Sequence, residues 1–175
     1  MPSRRRLDTI LDEEFTADLH SVELDVLRER RQLANDVENE LSYYRRLLHG
    51  RLDLLRFEQR RRSGEERRSL IEALPEILAD PQPAGGQEAS GRHIVTDLPP
   101  LPDVGRRDID LVLGDDVLTR LDEIDDEGLS AAIDAVAELA SDYSEQRRKV
   151  QEVADQISAV IAERYRTGQT DPVGS

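Results

Sequence analysis

Two stretches of helical periodicity, residues 21–62 and 126–167, carry the same polar pattern in the same register, and that repeat constrains the fold most. The first copy is Glu38, Ser42, Arg45, His49 and Asp53; the second, 102 residues later, is Ala140, Ser144, Arg147, Gln151 and Asp155. Both follow offsets of 0, 4, 7, 11 and 15. At 3.6 residues per turn these offsets fall within roughly 80° of arc, so each set forms one narrow stripe about 22 Å long. Ser, Arg and Asp recur at identical offsets. A solvated helix face has no reason to repeat an ordered donor–acceptor series, whereas a ligand-binding face does.

Each stripe runs beside an apolar seam. The first seam is Ala34, Val37, Leu41, Tyr44, Leu48, Leu52 and Leu55. The second is Ile133, Val136, Leu139, Tyr143, Gln146, Val150, Ala154, Ile157 and Ile161. Spacings of three and four make these heptad-like seams, with a slip toward an 11-residue period in the first. Every motif position follows a seam position by one residue, so the stripes flank the same edge of both seams. The expected fold is therefore all-α: an antiparallel two-helix coiled coil, or helical hairpin, with short accessory helices and a flexible Pro/Gly-rich linker. The alternative is an intermolecular coiled-coil dimer using the same seams. Gly50, inside the first long helix, costs roughly 1 kcal/mol against Ala and is also a place where something can approach the backbone.

The rest of the chain divides around the two helices. Residues 1–20 carry a weak amphipathic run, Leu7, Ile10, Leu11 and Phe15, suited to a short helix or to ordering on a partner. Ser21, with Glu23 behind it, reads as the cap of the first long helix. Ser63-Gly64-Glu65-Glu66 reads as a capping box opening a short helix within 63–79, broken by Pro75. Residues 80–125 read as an acidic Pro/Gly-rich linker with a short helix capped by Asp115 or Asp116 and ending near Ile124; residues 168–175 are a tail.

Composition fits an elongated helical molecule. Aromatics are 3% and charged residues 35% of 175, with no Trp, too few large apolar groups for a thick globular core. The absence of Cys excludes disulfides, thiolate metal sites and Cys nucleophiles. No apolar run approaches 18 residues and no signal core follows Arg4-Arg5-Arg6, so the expected location is the cytoplasm. The net charge of −14 lies wholly in the second part: residues 1–62 hold 13 Arg against 13 acids, residues 63–175 hold 11 basic against 25 acidic groups. Direct DNA binding needs a basic footprint, which is missing; an acidic surface suits a partner with a basic one.

The stripe chemistry points to guanine and phosphate. The Arg fork matches guanine O6 and N7 or a phosphate. A carboxylate accepts from guanine N1–H and N2–H₂, Ser donates to a phosphate oxygen, and Gln or His suits a mixed edge. Two stripes suit a ligand with repeated guanines and phosphates. Catalysis has no support: His20, His49 and His93 are dispersed and there is no Gly-rich phosphate loop. His49 near Asp53 is a single i, i+4 pair, not a metal site.

The spacing Glu-x3-Ser-x2-Arg-x3-Gln-x3-Asp on each of two antiparallel helices resembles the cyclic di-GMP signature of the RsiG family, anti-sigma factors of WhiG-type sigma factors in sporulating actinobacteria. Residues 38–53 match with His49 in place of Gln, and residues 140–155 with Ala140 in place of Glu. The resemblance implies a compact cyclic di-GMP dimer clamped between the helices by Glu38, Ser42, Arg45, His49, Asp53, Ser144, Arg147, Gln151 and Asp155. It further implies a one-to-one complex in which the loaded hairpin sequesters the sigma factor, without an enzymatic activity, a metal or membrane attachment. Ala140 makes the half-sites unequal, and His49 gives the affinity a mild pH dependence. The rival reading is a structural coiled-coil adaptor or scaffold without a small ligand.

Overall fold

The computed structural model describes residues 2–77 and 121–168. The expected linker from residue 80, the short helix capped by Asp115 or Asp116, and the tail beyond Gly168 lie almost wholly outside the described residues; of the linker, only residues 121–125 fall inside. In chain order the elements are α1 (Pro2–Leu11), α2 (Glu13–Thr16), α3 (Leu24–Ser63), α4 (Leu70–Ile77), a 3₁₀ turn (Leu121–Glu123) and α5 (Asp126–Thr167). Among the described residues there is no strand.

Helices α3 and α5 hold 40 and 42 residues, about 60 Å each, and pack against one another along their length. Their contacts set an antiparallel course. Near the start of α3 the Arg28 guanidinium lies 5.8 Å from the ring centre of Tyr165, late in α5, and donates to its hydroxyl. At the other end Arg62 donates to Asp126 at 3.0 Å. The hairpin is formed within one chain.

The α3 seam from Ala34 to Leu55 is buried at every expected position, and the α5 seam at Ile133, Val136, Val150, Ala154, Ile157 and Ile161. Leu139, Tyr143 and Gln146 are half-buried. The core falls into two clusters. One joins Leu27, Ala34, Val37 and Leu41 to Val150, Ile157 and Ile161; the other joins Leu48, Leu52 and Leu55 to Leu129, Ile133 and Val136. Tyr143 packs against both. Fully burying one such aliphatic side chain contributes about 1.5–3 kcal/mol, so the paired seams, more than helix propensity, hold the hairpin.

The helix ends explain three departures from expectation. Ser21 does not cap α3: its hydroxyl donates to Asp18 O at 2.8 Å within a turn where Asp18 takes a φ of 51°, and Glu23 stands at the cap position. Ser63 does not open the short helix either. It is the last residue of α3, which Gly64 terminates at a φ of 83°, a conformation glycine adopts without a Cβ penalty. The capping box is made instead by Ser69 and Glu72. The Ser69 amide donates to Glu72 Oε2 at 2.7 Å, and the Glu72 amide returns to Ser69 Oγ at 3.3 Å. Pro75 lies inside α4 rather than breaking it. At α5, Asp125 caps by accepting from the Gly128 amide at 2.8 Å, and Gly168 closes the far end at a φ of 73°.

The N-terminal segment is folded onto the hairpin. Ile10 and Phe15 are buried in the first cluster, so these two residues are committed to the chain's own core and not left for a partner. Arg30 donates to Phe15 O at 2.8 Å, Arg6 pairs with the buried Glu40 at 3.0 Å, and Arg164 donates to Leu19 O and His20 O at 3.2 and 2.7 Å. Leu11 remains exposed and Leu7 partly buried.

Candidate functional site

The two polar stripes meet across the helix pair. Glu38 Oε1 accepts from Ser42 Oγ on its own helix at 3.0 Å and from Arg147 Nη1 on α5 at 3.0 Å. One carboxylate thus joins two residues of the first copy to one of the second. The i, i+4 spacing brings Ser42 to Glu38, and the antiparallel course of α5 brings Arg147 opposite. The pair is half-buried, with Arg147 32% and Glu38 26% exposed, so water screens it only in part. Arg147 Nε is buried and has no hydrogen-bond partner among the described residues. Leaving such a donor unsatisfied costs about 1–3 kcal/mol and marks a place where an acceptor would be favoured.

The second copy is arranged differently. Ala140 is 3% exposed and belongs to the apolar cluster with Leu48 and Leu52. The expectation that this position flanks the seam on the polar edge is corrected: a methyl group in place of a carboxylate lets α3 close over it. Ser144, without a carboxylate at i−4, turns its hydroxyl back onto Ala140 O at 2.7 Å. Arg45 is half-buried, and no described residue hydrogen-bonds or pairs with its guanidinium.

The repeat pairs each motif residue with the one 102 positions later. It sends Glu38 to Ala140 and Arg147 back to Arg45. The Glu38–Arg147 contact therefore has Ala140–Arg45 as its counterpart, where the carboxylate is missing. Next to Ser42 and Ser144 along their helices, Tyr44 and Tyr143 form an edge-to-face pair with ring centres 5.8 Å apart.

His49, Asp53, Gln151 and Asp155 are exposed on the same stripes. The structure brings Glu38, Ser42 and Arg147 together, and among the described residues no hydrogen bond or ion pair joins these four to one another. The sequence reading missed Tyr43, half-exposed between Ser42 and Tyr44 and edge-to-face with Tyr44 at 5.5 Å. Its signal was a Tyr-Tyr doublet abutting the stripe in a chain with four Tyr. Gly50 has nothing within 4 Å of where a Cβ would stand, so no side chain approaches the backbone there. Among the described residues, no group of three His, Cys, Asp or Glu is placed to hold a metal ion. No described helix is long and apolar enough to cross a membrane.

A second polar cluster anchors the far end of the hairpin. Buried Glu58 accepts from Arg61 at 2.7 and 2.8 Å and from Arg62 at 2.9 Å. The Arg61 hydrogen bond, opposed by desolvation and helped by Arg62, holds its carboxyl below the usual carboxylate range. Arg62 also donates to Leu121 O at 2.6 Å and Ile124 O at 2.8 Å, fixing where the chain re-enters before α5.

Residues 13–78, covering α2, α3, α4 and the first motif copy, match the family model described as RsiG-like. Over this stretch the chain is similar to that family. The match agrees, over these residues, with the resemblance drawn from the motif. The second copy, on α5, lies outside the matched stretch. No curated protein matches the chain.

Proposed function

We propose that this chain is an anti-sigma factor that binds a cyclic di-GMP dimer between α3 and α5 and in that state sequesters a WhiG-type sigma factor, repressing developmental (sporulation) transcription. The observation that carries the reading is the contact of Glu38 with both Ser42 and Arg147. A scaffold needs only the seams, and gains nothing from an ordered polar constellation shared between the two copies of a repeated motif.

The chemistry of the ligand fits that constellation. Arg45 and Arg147 offer planar forks to guanine or phosphate, and Asp53, Asp155 and Glu38 accept from guanine N1–H and N2–H₂. Ser42 and Ser144 supply short donors, while His49 and Gln151 add mixed donor–acceptor groups. Release of the nucleotide would free the sigma factor. The test is calorimetry of the full chain with cyclic di-GMP, alone and with the sigma factor. Saturable binding that neither GTP nor cyclic di-AMP reproduces supports the reading; absence of binding in both settings leaves the scaffold.

A further inference from the structure

Resting on the nucleotide reading above, we propose that the two half-sites fill in a fixed order: the Arg45 half first, the Arg147 half second, with the Glu38–Arg147 ion pair as the gate between them. A phosphate or guanine edge can engage the Arg45 fork without displacing any described residue, because the position that would carry its carboxylate is Ala140. The end-on face of the Arg147 fork includes Nη1, which Glu38, itself held by Ser42, already occupies, and its side-on face includes the buried Nε, so a two-point contact with Arg147 requires that the Glu38 pair be exchanged. After that exchange Glu38 Oε1 is open to guanine donors, and the unsatisfied Nε of Arg147 can gain an acceptor.

The order follows from three arrangements that agree. Glu38 takes up both Ser42 and Arg147; Ser144, lacking a carboxylate at i−4, bonds its own backbone; no described residue bonds the Arg45 guanidinium. A motif with Glu in both copies would gate both arginines alike, and a motif with Ala in both would gate neither. This chain has one of each. Breaking a half-buried, doubly bonded ion pair weakens the second step by about three- to tenfold relative to the first.

The experiment follows the arginine Nε–Hε resonances of the full chain during a titration with cyclic di-GMP, with assignments from Arg45→Lys and Arg147→Lys. The Arg45 resonance should move during the first equivalent and that of Arg147 only during the second. In Glu38→Ala, whose helix content is checked by circular dichroism, the two should move together. Movement of Arg147 together with or ahead of Arg45 in the unsubstituted protein overturns the order. So does an order that survives Glu38→Ala unchanged. If neither resonance moves and no heat is released, the nucleotide reading itself fails, and the order with it; binding with both resonances moving together removes the order alone.

Discussion

Glu38 on α3 holds Arg147 on α5 at 3.0 Å, whereas Ala140, standing where the repeat would place the second Glu, offers no carboxylate, and no described residue pairs with Arg45. One methyl-for-carboxylate difference has two structural effects. It turns a polar flank into part of the core, and it makes two otherwise matched arginines unequal.

Both arginines should nevertheless matter to the ligand. Arg45→Ala and Arg147→Ala are each expected to weaken cyclic di-GMP binding by about 1–3 kcal/mol, measured by calorimetry. Helix content should be unchanged, since Ala is a strong helix former. Normal binding by either variant would remove that arginine from the site.

Arg62 ties the end of α3 to the start of α5 through Leu121 O, Ile124 O and the Asp126 carboxylate. Arg62→Ala strands the two carbonyls and leaves Glu58 with Arg61 alone. A loss of about 1–3 kcal/mol is expected in urea unfolding. Arg62→Lys should recover part of it, because one ammonium cannot reproduce the fork. A variant as stable as the parent would show that the seams alone set the hairpin's closure.

Glu58 makes stability depend on acid. Its carboxyl is depressed in the folded chain, chiefly by the Arg61 hydrogen bond, so the unfolded chain binds the proton more readily. The stabilisation is therefore complete above the unfolded value of about 4.3 and is lost as pH falls from there through the folded value. Melting temperature against pH should show this loss, and Glu58→Gln should flatten it. Identical acid limbs in parent and variant would assign the loss elsewhere.

Gly50→Ala should stabilise the chain by about 0.5–1 kcal/mol, because α3 runs through this position and open space surrounds the added Cβ. The urea midpoint measures it. A lower midpoint would mean that α3 is not a regular helix through Gly50.

The hairpin was legible because burial repeats with a fixed period: Ala34, Val37, Leu41, Tyr44, Leu48, Leu52 and Leu55 follow from spacing alone. The caps were legible in kind but not in place. Ser63 and Ser69 both precede a Glu by three residues, and only the left-handed Gly64 decides that the first ends a helix while the second starts one. Ala140 was misplaced for a different reason. Whether a position beside a seam faces solvent or core depends on how closely the partner helix approaches, and a small side chain allows that approach. The joining of Glu38 to Arg147 depends on the stagger of α5 against α3, which no local spacing encodes.

The last prediction concerns the coupling of ligand and partner. Two arginines and several carboxylates line one hairpin, and Arg147 Nε has no acceptor within it, so a ligand that supplies acceptors binds the folded form preferentially. Cyclic di-GMP should then raise the melting temperature, by an amount that grows with ligand concentration. Under the proposed function, the sigma factor binds the loaded hairpin better than the empty one. By linkage each must tighten the other by the same factor, whatever the contact surface. Twelve acids against three Arg between Asp97 and Asp134 favour a basic partner surface, so association should also slow as salt shortens the Debye length below about 8 Å. The measurement is a pair of titrations, cyclic di-GMP with and without sigma and sigma with and without cyclic di-GMP. A sigma factor retained equally by the demonstrably nucleotide-free and loaded protein would exclude the switch and leave a constitutive binder.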